Sequence, residues 1–109
     1  MDRQLQLENA LDHTLRVLVE EYQPQKVILF GSMASGETSE WSDIDLVIIK
    51  DTPKRFLDRL KEVALLCRAT VGVDYLVYTP QEFEELASEE SNLFVQREIM
   101  QKGKVLYEH

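Results

Sequence analysis

The chain has 109 residues, a formal net charge of −8 and one cysteine, and these totals exclude several classes of protein. This length predicts one domain over residues 1–109. An acidic surface repels nucleic acid phosphates and anionic lipid, which argues against a stand-alone polymerase or RNA-tailing enzyme. Cys67 cannot form a disulfide within the chain, as expected for a small core residue in a reducing compartment.

No stretch of the sequence predicts a secretion signal or a membrane span. Residues 1–20 carry charges throughout and predict an amphipathic helix, not an apolar signal segment. The longest apolar runs are far shorter than the roughly 20 residues that a membrane span needs. We therefore expect a soluble, cytoplasmic protein that does not bind a membrane.

Apolar spacing and turn residues predict alternating helices and strands. The first half of the chain is predicted to form a helix over 4–22, a strand over Lys26–Phe30, a short helix over Ser32–Ser35, an exposed loop over 37–42 and a strand over Asp43–Lys50. Next comes a helix that is capped by Thr52, has Pro53 at its first position and ends near Arg68. The rest is predicted to form a strand over Val73–Tyr78, a helix capped by Thr79–Pro80, a helix over 91–102 closed by Gly103, and a short strand over Lys104–Tyr107. His13 falls off the apolar stripe of the first helix, so we expect it to be solvated and not a ligand.

This order predicts an α/β chain (α+β in strict usage) with a small mixed sheet of three to four strands flanked by helices. The link between Phe30 and Asp43 is short for a crossover that contains a full helix. Some strand pairs therefore need not be parallel.

Two aspartates open the second strand. Side chains two residues apart in a strand face the same way, so Asp43 and Asp45 place their carboxylates roughly 6 to 7 Å apart. At that distance they repel by about 2 to 3 kcal/mol in an effective dielectric near 20. A divalent cation between them relieves that repulsion, and Mg²⁺ prefers such oxygen ligands.

Asp74 is the third candidate ligand. If the third strand lies beside the second, Asp74 joins the same cluster, and three carboxylates suffice for two Mg²⁺ ions in an in-line displacement at phosphorus. Asp74 could also accept the proton of an attacking hydroxyl.

Gly31 and Ser32 end the first strand and are the candidate nucleotide-binding residues. A residue without a Cβ permits close approach of a phosphate. The helix that opens at Ser32 offers unpaired N–H groups to an anion, and the Ser32 hydroxyl can donate a hydrogen bond to a phosphate oxygen.

These residues resemble the signature of the nucleotidyltransferase superfamily that includes DNA polymerase beta. Gly31-Ser32, a spacer of ten residues, Asp43-Ile44-Asp45 and the later strand aspartate Asp74 match it. The short length resembles the minimal nucleotidyltransferases, called MNT proteins, many of which are antitoxins encoded beside a HEPN-domain toxin. The resemblance implies the nucleotidyltransferase fold, ATP as donor, two Mg²⁺ ions, and transfer of AMP to a tyrosine hydroxyl of such a toxin.

One position departs from the family pattern. Many minimal members have an arginine where this chain has Ser35, so a guanidinium that could pair with phosphate is missing. Lys50, Lys54 and Arg55 are the candidates to replace it.

Two other functions compete with protein nucleotidylation. The chain could neutralise a toxin by contact alone, as a binding module with a weak active site. It could also transfer a nucleotide to a small molecule such as an aminoglycoside, although relatives with that activity usually carry an additional acceptor-binding domain.

Overall fold

The computed structural model describes residues 2–88 and 92–109. The helices and strands are α1 (Arg3–Val17) with a π-helical extension (Leu18–Tyr22), β1 (Lys26–Phe30), α2 (Ser32–Ser35), β2 (Ile44–Ile49), α3 (Phe56–Cys67), β3 (Val73–Tyr78), α4 (Pro80–Ser88), a C-terminal π-helix (Phe94–Gln101) and β4 (Lys104–Glu108). The predicted order of elements is confirmed. The start predicted for the last helix, Ser91, lies outside the described residues.

The four strands form one mixed sheet in the order β3-β2-β1-β4. Strand β1 pairs antiparallel with both β2 and β4, whereas β2 pairs parallel with β3. The expectation of a mixed sheet is therefore confirmed. The physical reason is the short link between β1 and β2, which reverses the chain instead of crossing over it.

Strand register brings the candidate site residues to one end of the sheet. Phe30, the last residue of β1, pairs with Asp45, and Asp45 pairs with Asp74 on its other side. Gly31 follows Phe30 directly. Three neighbouring strands thus present their site residues side by side at the same end.

Each face of the sheet is covered by its own apolar cluster. The cluster shared with α1 and α3 contains Leu7, Ala10, Leu18, Tyr22, Val27, Leu29, Ala34, Ile44, Leu46, Ile48, Val63, Cys67 and Val77. The opposite cluster contains Ile28, Phe30, Val47, Ile49, Val95 and Ile99, against which Phe83, Leu86 and Ala87 of α4 pack. Strands β1 and β2 are apolar on both faces because they lie in the middle of the sheet.

Two local predictions are wrong. Helix α3 begins at Phe56, and Thr52 does not cap it. The Thr52 hydroxyl instead accepts a hydrogen bond from the Lys54 amide at 3.2 Å, because a threonine can hold a local turn as readily as a helix start. Ser42, predicted to lie in an exposed loop, is buried.

The start of α4 is as predicted. The Glu82 amide donates to the Thr79 hydroxyl at 3.2 Å, and the Thr79 amide donates to the Glu82 carboxylate at 2.8 Å. This reciprocal pair is a capping box. No helix among residues 2–88 and 92–109 is both long enough and apolar enough to cross a membrane.

Candidate active site

Asp45 and Asp74 are brought together by strand pairing. Because β3 lies beside β2 in parallel, the two residues are direct partners in the ladder, as the sequence predicted for that arrangement. Asp43 immediately precedes β2, with its side chain 51% exposed. Asp45 is half-buried, and Asp74 is exposed.

The surroundings of Asp45 disfavour its charged form. The pKa of this carboxyl group is raised from 3.8 to about 6, first by burial, then by the hydrogen bond with Asp74 and by the negative charges of Asp74 and Asp43. All these causes act in the same direction, and none of them is a positive charge from the described residues. A cation bound beside this carboxyl group would favour its charged form.

Two glycines leave room for these carboxylates. A Cβ on Gly31 would lie 2.2 Å from Asp45 Oδ2, and a Cβ on Gly72 would lie 2.6 Å from Asp43 Oδ1. Gly31 also has a φ of 75°, which L side chains rarely adopt. The Gly31 turn and its close approach to Asp45 therefore require glycine. The sequence pattern treated Gly72 only as a break before β3.

A serine network connects the Gly31 turn to the start of β2. The Ser32 hydroxyl donates to the Ser42 hydroxyl at 3.1 Å, and the Ser39 amide donates to the same oxygen at 2.8 Å. The carbonyl of Gly31 accepts from the amides of Ala34 and Ser35. The network holds Ser32 beside the residue that precedes Asp43, and the sequence pattern gave no indication of the role of Ser42.

Arg3, from the first turn of α1, reaches the same place. Its Nη2 donates to the Ser42 carbonyl at 2.7 Å and lies 3.7 Å from Asp43 Oδ1. The spacing of apolar residues in the sequence does not reveal this contact, because the contact joins residues 39 positions apart in the chain.

The cations suggested as replacements for an arginine at position 35 lie elsewhere. Lys50 follows the far end of β2, about 20 Å from the start of that strand at 3.3 Å per residue. Its ammonium donates to the Tyr22 carbonyl at 2.7 Å. Lys54 pairs with Glu62, and Arg55 precedes α3 beyond that same end of β2. The suggestion that these three residues serve the phosphate site is therefore wrong.

The three aspartates do not form a closed cage as they are placed. Within residues 2–88 and 92–109, no group of three His, Cys, Asp or Glu side chains is arranged to hold a metal ion. Asp43 is engaged by Arg3 while Asp45 contacts Asp74. The chemistry of the donors nevertheless fits Mg²⁺, because all are carboxylate oxygens. Asp45, which lies between the other two, has a pKa of about 6 and so loses its proton near neutral pH.

His13 and Cys67 lie outside this site. His13 is exposed, and its Nε2 lies 3.2 Å from the Cys67 carbonyl oxygen. The Cys67 thiol is buried in the first apolar cluster.

Comparison with known proteins identifies relatives by sequence and by fold. The chain is 33% identical over 102 residues to "Putative protein adenylyltransferase MJ0604" of Methanocaldococcus jannaschii, covering 92% of this chain and 97% of that protein. A solved nucleotidyltransferase structure from Sulfolobus solfataricus, itself named putative, matches with a TM-score of 0.63 and 19% identity over 98% of this chain and 85% of that one. At that identity the likeness concerns the fold.

A second solved structure adds a different context. It is a toxin–antitoxin crystal structure with AMP-PNP, and one of its chains matches with a TM-score of 0.51 and 25% identity, over 94% of this chain and 73% of that one. The family model described as "Polymerase beta, Nucleotidyltransferase" matches residues 13–109. With the fold, the strand register of the aspartates and these matches in agreement, the chain belongs to the polymerase beta nucleotidyltransferase family.

Proposed function

We propose that this protein transfers AMP from ATP to a hydroxyl group of a partner protein, in a Mg²⁺-dependent reaction, and that it acts in this way as an antitoxin. The observation that carries the proposal is the contact between Asp45 and Asp74 beside the Gly31 turn, where the pKa of Asp45 rises to about 6. Acids perturbed by burial and by a specific charged neighbour are typical of active sites.

The comparisons support the chemical group and the kind of acceptor. The curated relative is named as a protein adenylyltransferase and matches over 97% of its length. The solved toxin–antitoxin structure is a complex with AMP-PNP. We therefore propose an adenine nucleotide as donor and a toxin protein as acceptor. The resemblance to minimal nucleotidyltransferases further implies that the acceptor is a tyrosine of a HEPN-domain toxin.

Each site residue has a role in this proposal. Asp43, Asp45 and Asp74 would hold two Mg²⁺ ions, which would supply positive charge to the reacting phosphate group. Asp74, exposed at the start of β3, accepts the proton of the acceptor hydroxyl. The acceptor oxygen forms a bond to the α-phosphorus while the bond from that phosphorus to the pyrophosphate oxygen breaks. AMP remains on the acceptor, and pyrophosphate leaves.

Gly31 and Ser32 act on the phosphates. The missing Cβ of Gly31 permits close approach to the backbone. The Ser32 hydroxyl, which donates to Ser42 at 3.1 Å, can turn to a phosphate oxygen at the cost of one neutral hydrogen bond, about 1 kcal/mol net.

Transfer of label tests the proposal. ATP labelled at the α-phosphate is incubated with the chain, Mg²⁺ and the protein encoded by the neighbouring open reading frame. We expect the partner to be labelled, and Asp45→Asn to reduce labelling by at least roughly 100-fold, since even outer partners of metal ligands contribute 10–100-fold. Asp51→Asn, at the far end of β2, is the matched control and should label normally. Equal labelling by Asp45→Asn would overturn the proposal.

A second function, neutralisation by contact alone, is favoured by one observation. The Ser35 hydroxyl donates to the Ser32 carbonyl at 3.1 Å, so position 35 contributes neither positive charge nor a free donor to the phosphates. If contact alone suffices, Asp45→Asn should still bind the toxin and neutralise it without any label on the partner.

A further inference from the structure

We propose that Arg3 is a phosphate-binding residue of this active site, and that its guanidinium supplies the positive charge that Ser35 does not. The inference rests on the proposed function, because it requires a nucleotide at the aspartate cluster. Arg3 precedes residues 13–109, which are the part of the chain that matches the family model.

The position of Arg3 is fixed by two contacts at the site. Its Nη2 donates to the carbonyl of Ser42, and the same nitrogen lies 3.7 Å from Asp43 Oδ1. The side chain is only 26% exposed, so the guanidinium is held against the site and does not extend into solvent. The Ser42 hydroxyl in turn accepts a hydrogen bond from the hydroxyl of Ser32, the candidate phosphate-binding residue. Ser42 therefore contacts both Arg3 and Ser32.

The Arg3 guanidinium has a hydrogen-bond donor that these contacts leave unused. Arg3 Nε is buried and finds no hydrogen-bond partner among the described residues. The contact with Asp43 at 3.7 Å is an ion pair and is longer than a hydrogen bond. A buried donor without a partner destabilises the protein, and an anion with several oxygens can satisfy it. A planar guanidinium matches a phosphate with two parallel hydrogen bonds.

Arg3 is also the cation that forms an ion pair at the aspartate cluster. Of the ion pairs among the described residues, only that of Arg3 involves one of the three aspartates. Arg3 lines two open cavities, one of about 460 Å³ without an acidic side chain in its wall and one of about 550 Å³ whose wall includes Asp2 and Glu40.

These observations describe a residue that exchanges partners. Without ligand, Arg3 offsets the charge of Asp43. When Asp43 turns to a cation, the guanidinium loses its carboxylate partner and is free to bind the phosphate tail of the nucleotide. A purely structural role, in which Arg3 only ties α1 to the Ser42 loop, predicts no preference for the number of phosphates.

Nucleotide binding by Arg3→Gln separates the two roles. The probes are α,β-methylene-ATP and AMP, each with Mg²⁺, in calorimetric titrations. Trp41 fluorescence is the second readout, since this sole tryptophan is 86% exposed and lies two residues before Asp43. Loss of a charge-assisted hydrogen bond should weaken binding of the triphosphate by about 10–100-fold and binding of AMP by less than about threefold.

Two further variants make the result decisive. Arg16→Gln removes the same charge from an exposed position on the same helix and should bind both probes normally. Arg3→Lys keeps the charge without the planar fork and should recover part of the triphosphate affinity. Retained AMP binding by Arg3→Gln shows that its loss of triphosphate affinity is not unfolding.

The inference would be overturned if Arg3→Gln bound both probes equally more weakly. Unchanged binding of the probes, or tighter binding of the triphosphate, would overturn it as well. Wild-type protein that binds neither probe would overturn the proposed function itself. Wild-type binding that Arg3→Gln fully retains would overturn the role of Arg3 alone.

Discussion

Asp45 carries a carboxyl group that the fold makes harder to ionise. Its folded pKa of about 6 lies above the ordinary value of 3.8, so the folded chain binds more protons than the unfolded chain between those values. The free energy of unfolding therefore falls as the pH rises through that window and stays low at neutral pH.

Replacement of this carboxyl should stabilise the metal-free protein. We expect Asp45→Asn to raise the free energy of unfolding at pH 7.5 in EDTA by about 1 kcal/mol. That is less than the full pKa shift implies, because the half-exposed group is screened by solvent. The gain should vanish near pH 4. Urea unfolding measures both values, with Asp51→Asn as the control, and a less stable Asp45→Asn at pH 7.5 would refute the account of this residue.

Gly31 and Gly36 form a matched pair for testing the turn. Both have positive φ, but a Cβ at Gly36 meets no atom within 4 Å, whereas a Cβ at Gly31 meets Asp45. We expect Gly36→Ala to cost about 1 kcal/mol from backbone strain alone. Gly31→Ala should cost at least about 1 kcal/mol more and abolish transfer, since it also displaces Asp45. Equal behaviour of the two variants in thermal unfolding and labelling would show that the close approach is unimportant.

At the scale of elements, Arg59 connects α3, β3 and α4. Its Nη1 donates to the Val77 carbonyl at 3.1 Å and to Glu82 at 2.7 Å, while its Nε donates to the Lys54 carbonyl at 2.7 Å. The hydrogen bond from Arg59, followed by that from the Thr79 amide, lowers the pKa of Glu82 below 4.5. The contribution of Glu82 is therefore present above its unfolded pKa and is lost as the pH falls through the folded value.

Loss of Arg59 should loosen this junction. We expect Arg59→Ala to lower the free energy of unfolding by about 2–4 kcal/mol at pH 7, because four side-chain hydrogen bonds are lost and the buried Val77 carbonyl is left without that donor. The exposed Arg55→Ala is the control and should change it by less than about 0.5 kcal/mol. An equal, small effect of both variants in urea unfolding would contradict this role.

Local signals in the sequence predicted the helices and strands well, whereas contacts between residues far apart in the chain could not be predicted from it. The capping box of Thr79 and Glu82 spans four residues, so it can be recognised from the sequence alone. Thr52 shows the limit, because a threonine before a proline suits a helix start and a turn equally. The approach of Asp74 to Asp45 followed once β3 was assumed to lie beside β2. The contact of Arg3 with Ser42 depends on how α1 packs, which no spacing rule gives.

For the whole molecule, the net charge of −8 opposes the binding of a free triphosphate. We therefore expect nucleotide binding to require a divalent cation that reverses the local field. In thermal unfolding, α,β-methylene-ATP with Mg²⁺ at about 100 times its Kd should stabilise the protein by about 2.7 kcal/mol. The same nucleotide in EDTA should give almost none of this shift, and equal stabilisation in EDTA would contradict the metal-bridged site.

The most direct test of that site is the position of a bound paramagnetic ion. Mn²⁺ added in small amounts with α,β-methylene-ATP broadens the amide resonances of the residues nearest to it. We predict that broadening is strongest at Asp43, Asp45 and Asp74 and is lost in Asp45→Asn. Strongest broadening at another acidic stretch such as 84–85, with Asp74 unaffected, would contradict the proposed site.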